Sequence, residues 1–130
     1  MLQHHKNPNR DGHYVAIRSA LRAQTAKEVA PDEPHISDTL GWILYQRGGV
    51  YQRALSLLRE SAAKLPGNAE IQYHLGMAAV KVGGTEAARI ALARAAKSPE
   101  QFVGKDEVKE QLAEKGCAKF FTALRTQVLS

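Results

Sequence analysis

The residues of this chain best equipped for metal or nucleophilic chemistry are five histidines, His4, His5, His13, His35 and His74, and a single cysteine, Cys117. A helical zinc site asks for ligands about one turn apart, as in His-x3-His. That spacing does not occur. His4 and His5 lie in a polar stretch suited only to adventitious metal, and His35 and His74 read as half-exposed polar positions. Cys117 follows Gly116 with no histidine nearby in sequence, so it reads as a small hydrophobe rather than a nucleophile, and alone it forms no internal disulfide. Two glycine pairs, Gly48-Gly49 and Gly83-Gly84, lack the remainder of a phosphate-binding pattern. There is no nucleophile elbow and no carboxylate pair in an apolar setting. The expectation is a protein that is not an enzyme, with no cofactor and no metal site.

With chemistry set aside, bulk properties bound the rest. A chain of 130 residues suits one domain with a continuous core. Aromatic residues make up 6% and alanine is plentiful, which favours closely packed helices over a sandwich of sheets. No apolar run approaches the roughly 18 residues of a membrane span. The opening "MLQHHKNPNRDGHY" has no apolar stretch of the signal-peptide kind, so the expected setting is cytoplasmic and away from membranes. The net charge of +5 is concentrated near the start, where Lys6, Arg10, Arg18, Arg22 and Lys27 face Asp11 and Glu28. Arg18 and Arg22 share one helical face. Without an aromatic or glycine-rich recognition motif this reads as a solvated surface, and a nucleic-acid partner is not expected.

The glycine pairs find their meaning in a repeat. Leu40, Gly41 and Gly48 recur 35 positions later as Leu75, Gly76 and Gly83, and Pro31 recurs as Pro66. Beyond the glycine pair the offset is 34, relating Ala54 to Ala88, Leu58 to Leu92 and Ala62 to Ala96. A one-residue insertion in a turn accounts for the change. Each unit reads as two helices joined by a glycine turn. Gly48 and Gly83 reverse the chain, Pro34 opens a first helical turn, and Asn68 and Thr85 cap helix starts. Gly41 against Ala54, and Gly76 against Ala88, would permit close helix crossings, with Leu40, Leu44, Leu57 and Leu58 filling the space around them.

These residues resemble the tetratricopeptide repeat, whose pattern runs Trp-x2-Leu-Gly-x2-Tyr, then Ala-x3-Phe, then Pro. Leu40-Gly41, Ala54, Leu58 and Pro66 match it in a unit over about 34–67; Leu75-Gly76, Ala88 and Leu92 match it over about 69–100. Ser37 and Gln72 stand in place of the opening Trp. "DTLGW" at 38–42 is similar to repeats of bacterial members. The resemblance implies an all-α solenoid of helical hairpins, about two and a half repeats long. It further implies a concave face lined by the first helix of each unit. His35, Asp38, Trp42, Tyr45 and Gln46 would face it from the first unit. Glu70, Tyr73, His74, Met77 and Lys81 would face it from the second. Trp42 and Met77 occupy the places of the asparagines that clamp a C-terminal carboxylate in some members, which argues against that ligand.

The flanks complete the expectation. Residues 1–13 carry turn signals, Asn7-Pro8-Asn9 and Asp11-Gly12, and read as a flexible tail before a single domain over 14–130. "YVAIRSALRAQTAKEV" aligns as a second helix without its first, leaving Val15, Ile17 and Leu21 at an open end. "SPEQF" resembles a capping box with Ser98 as the cap. Capping helices over about 104–129 would close the far end through Val108, Leu112, Phe120, Phe121, Leu124 and Val128. The function implied is an adaptor or scaffold that binds a peptide or helix of another protein on the concave face. The alternative is an assembly unit that self-associates, as a homodimer, through its open end.

Overall fold

The computed structural model describes residues 8–106, 108 and 109, the side chains of residues 8–14 and 16 excepted. The described residues are helical with no strand. They form α1 (Pro8–Val29), α2 (Pro34–Arg47), α3 (Tyr51–Lys64), α4 (Ala69–Lys81) and α5 (Thr85–Lys97), with helical residues again from Lys105. The capping segment beyond residue 109, Cys117 included, lies outside the described residues, as do His4, His5 and the first seven positions.

Local chemistry sets the boundaries. Pro34 opens α2, whose N-terminal amides are met by the Glu33 carboxylate, which accepts from His35 N at 3.2 Å. Asn68 caps α4 by accepting from Ile71 N at 3.1 Å. Gly48, at φ +81°, ends α2 by donating its amide to Leu44 O, and Gly49 stays left-handed at +88°. Only one residue of the second pair does the same. Gly83 is at φ +78°, whereas Gly84 has φ −79° and is itself the cap of α5. Thr85 is therefore the first residue of α5 and not its cap; its hydroxyl donates to Gly83 O at 3.3 Å. Ser98 closes α5 where the sequence suggested that it opens the next helix, and its Oγ accepts from Glu100 N at 3.2 Å. Along α5, Arg89 pairs with Glu86 at 2.7 Å and holds that carboxyl below its ordinary range.

At the other end, α1 starts six residues before the turn signals suggested. Proline is tolerated at a first helical position, and one interior glycine costs about 1 kcal/mol, so Pro8 and Gly12 do not stop a helix of this length.

The short connections fold α3 back on α2 and α5 back on α4, and these two pairs make the most extensive contacts. α3 is the central helix. Its Ala54 and Leu57 join Leu40, Leu44 and Ala23 in one apolar cluster, while its Leu55 and Leu58 join Ala78, Ala79 and Ala88 in a second. A third cluster gathers Tyr73, Leu92, Ala95 and Val108. α1 is held to the pair after it by Lys27, whose ammonium donates to Pro31 O, to Ser37 Oγ at 2.8 Å and to Glu60 at 2.7 Å. It thereby ties three helices at one point.

Close approach at both glycines is present, with Ala54 at Gly41 as expected and a leucine added at each. A Cβ on Gly76 would lie 2.6 Å from Leu92 Cγ, and one on Gly41 would lie 2.8 Å from Leu58 Cγ and 3.1 Å from Ala54 O. A leucine is seated on each glycine, and at Gly41 the Ala54 carbonyl lies beside it. Leu92 is buried and cannot swing aside. Gly76→Ala should therefore destabilise the fold by about 1–3 kcal/mol in urea unfolding, whereas Gly67→Ala, which meets nothing, should leave it nearly unchanged.

Candidate functional site

α2 presents Asp38, Trp42, Tyr45 and Gln46 along one side, and α4 presents Glu70, Tyr73, His74, Met77 and Lys81. The two helices touch directly. The indole of Trp42 lies between two near-parallel rings, Tyr45 at 4.8 Å and 13° and His74 at 4.0 Å and 18°. Tyr73 meets it at 5.4 Å, tilted by 54°. Tyr45 in turn meets Tyr51 at 6.0 Å, and Tyr73 meets Phe102 at 5.6 Å. A continuous row of rings thus runs from α3 across α2 and α4 to the segment after α5. Offset and tilted pairs of this kind add about 0.5–1.5 kcal/mol each beyond their buried area.

A polar seam runs beside the rings. His74 Nδ1 lies 2.7 Å from Asp38 Oδ1, and Nε2 lies 3.9 Å from Glu70 Oε1. A carboxylate can only accept, so Nδ1 carries the proton. His74 is 5% exposed, covered on one face by Trp42. An imidazole so enclosed joins α2 to α4 through one charge-assisted hydrogen bond and one ring stack. His35, by contrast, is exposed at the start of α2, so the two histidines do not present one surface.

Burial divides the nine expected contact residues. Tyr73 is 4% exposed and belongs to the core with Leu92 and Val108. Trp42, Tyr45, Met77 and Asp38 are half-buried, and Gln46, Glu70 and Lys81 are exposed. The Lys81 ammonium lies 5.9 Å over the Tyr51 ring. What faces solvent is therefore a band of half-covered rings edged by Gln46, Glu70 and Lys81, with Tyr73 and His74 holding it from beneath.

Two participants escaped the sequence reading. Tyr51 extends the row of rings, although its place at a helix start after a glycine turn marks it only as a chain reversal. Gly104, at φ +103°, lets the chain after α5 lie against Tyr73, where a Cβ would come within 2.6 Å of the ring. Lys105, 4% exposed, fixes that segment by donating to Ser98 O and Glu100 O at 2.7 Å each. Its signal was a glycine followed by lysine in a stretch otherwise read as a helix start.

Among the described residues no group of three His, Cys, Asp or Glu is placed to hold a metal ion, and no helix is long and apolar enough to cross a membrane.

Trp42→Ala removes the middle ring of the row and should destabilise the fold by about 3 kcal/mol in denaturant unfolding. Asp38→Ala, which leaves the His74 donor buried without its acceptor, should cost about 1–3 kcal/mol. A Trp42→Ala protein of unchanged stability would mean that the indole is not held as described. Set against models of known families, curated proteins and solved structures, the chain gives no match.

Proposed function

We propose that this chain is a tetratricopeptide-like array of helical hairpins that binds a peptide or helical segment of another protein along the α2–α4 face, as a cytoplasmic adaptor or scaffold and not as an enzyme. The observation that carries this reading is the band of half-covered aromatic rings bordered by exposed polar side chains of both signs. Aromatic surface already fixed by packing loses little conformational freedom on binding, so an approaching apolar side chain gains from its desolvation at low entropic cost. The exposed Gln46, Glu70 and Lys81 would set register and orientation. The 35-residue repeat and the packing of α2 directly on α4 support the hairpin-array part of the reading.

Peptides selected by display against the whole chain test the proposal. Lys81→Glu and Gln46→Ala sit at exposed positions and should leave the unfolding transition intact while weakening a selected peptide about tenfold or more. Peptides that bind both variants as tightly as the parent chain would remove the α2–α4 face from consideration.

A second reading, self-association through the α1 end, is favoured by one specific observation. α1 exposes Leu21 and Val15 at 63% and 62% and Val29 at 80%. Covering these on a second copy would bury apolar surface that is now solvated. Light scattering should then report a dimer, and Val15→Glu should shift it towards monomer. A strict monomer at high micromolar concentration would exclude this arrangement.

A further inference from the structure

α1 carries alanine where α3 carries leucine. The spacing that relates Pro31 to Pro66 also relates Ala20 to Leu55 and Ala23 to Leu58. Those two leucines seal α3 against Ala78, Ala79 and Ala88. The facing side differs as well. Arg47 stands 35 positions before Val82, and Arg53 stands 34 before Ala87; Val82 and Ala87 pack on the sealed cluster. The seam between α1 and the α2–α3 pair thus lacks two leucine side chains and gains two arginines.

The consequence is a groove of about 280 Å³ with Ala20, Leu40 and Leu44 among its apolar lining and Leu21 beside them. Arg47 and Arg53 line it too and are exposed. Among the described residues no acidic side chain lines it. Arg53 donates to Gln24 Oε1, which leaves most of its guanidinium donors free to reach a ligand. Glu28 is tied to Gln24 at 3.4 Å, a weak bond, and does not itself line the groove. The Arg47 side chain makes no hydrogen bond or ion pair among the described residues.

Size and charge select the occupant. One turn of helix, 5.4 Å long and about 10 Å across, fills on the order of 400 Å³, more than the groove offers. A single short alkyl chain fits, near the lower end of the roughly 300–1,000 Å³ range of small-molecule pockets. Two guanidiniums above an apolar floor ask for one anionic head, and a carboxylate matches their fork geometry. We propose that this groove binds a short aliphatic carboxylate, its chain on Ala20, Leu40 and Leu44 and its head held by Arg47 and Arg53. The site is separate from the α2–α4 face and stands whether or not that face binds a peptide.

Amide chemical shifts of the whole chain titrated with sodium octanoate, below its micelle concentration, test this. The expected result is saturable change at Ala20, Leu21, Leu40 and Leu44, with octylammonium giving none at the same concentration. Arg47→Gln combined with Arg53→Gln should weaken octanoate at least about tenfold. Ala20→Leu, which puts into α1 the side chain that α3 already carries, should abolish binding and raise the melting temperature. Shifts that never saturate, that spread over the surface, or that octylammonium reproduces would overturn the assignment. So would a doubly substituted arginine variant that binds as the parent does. If Ala20→Leu loses its native spectrum, the arginine pair, exposed and outside the core, decides the question alone.

Discussion

Two missing side chains set the spacing of the fold. At Gly41 and Gly76 the first helix of each pair has no Cβ, and the second helix seats a leucine in the space. The approach is so close that Leu58 and Leu92 are almost wholly enclosed, although each faces a helix with nothing but backbone at the contact. Because the helices meet so tightly there, Ala54 and Ala88 are buried without remainder, and α3 and α5 have their other faces free for the next contact. Interiors packed to this density transmit small displacements, so the position of α4 against α2 follows from how deeply each leucine sits.

The row of rings and the His74–Asp38 bond belong to the next level of organisation, the joining of one pair to the next. There the protein adds polar and aromatic groups to the contact that Leu55 and Leu58 already make with α4 and α5. Trp42 and His74 stack across the α2–α4 contact, while Lys27 performs the comparable task where α1 meets α2 and α3. Buried polar groups of this kind contribute modestly to net stability, but they tolerate few alternative partners, so they fix which helix sits where. At both junctions the groups come from positions far apart in sequence, 36 residues between Asp38 and His74 and 33 between Lys27 and Glu60.

That distance explains what the sequence could and could not disclose. The helix ends were legible because proline, asparagine and glycine act on their own neighbourhood, and Pro34, Asn68 and Gly48 stand where their chemistry requires. The apolar set Leu40, Leu44, Leu57 and Leu58 was legible through periodicity. The errors fell where a local signal competes with a longer one. Pro8 and Gly12 suggested interruption, yet a 22-residue helix absorbs them. Thr85 and Ser98 have good capping chemistry, but the turns around Gly84 and Gly104 place the helix starts elsewhere. The candidate face was legible as a set of residues on α2 and α4, but not in its layering. Nothing in the local pattern says that Tyr73 and His74 lie beneath Trp42, because that depends on the crossing of two helices.

The most extensive contacts in the described chain join helices that are adjacent in sequence, and those that skip one, as α1 to α3 and α2 to α4, are smaller. Such a topology closes only short loops, so each hairpin can gain most of its native contacts before the next is in place. The conformational search is therefore local, and a chain wired this way belongs with the helical proteins that reach the native state in microseconds to milliseconds rather than seconds. The same locality limits long-range cooperativity. The α1 end is held chiefly through Ala20, Ala23, Gln24 and Lys27, fewer contacts than join the later helices, so opening is expected to begin there while α2 to α5 remain assembled, with protection falling toward that end.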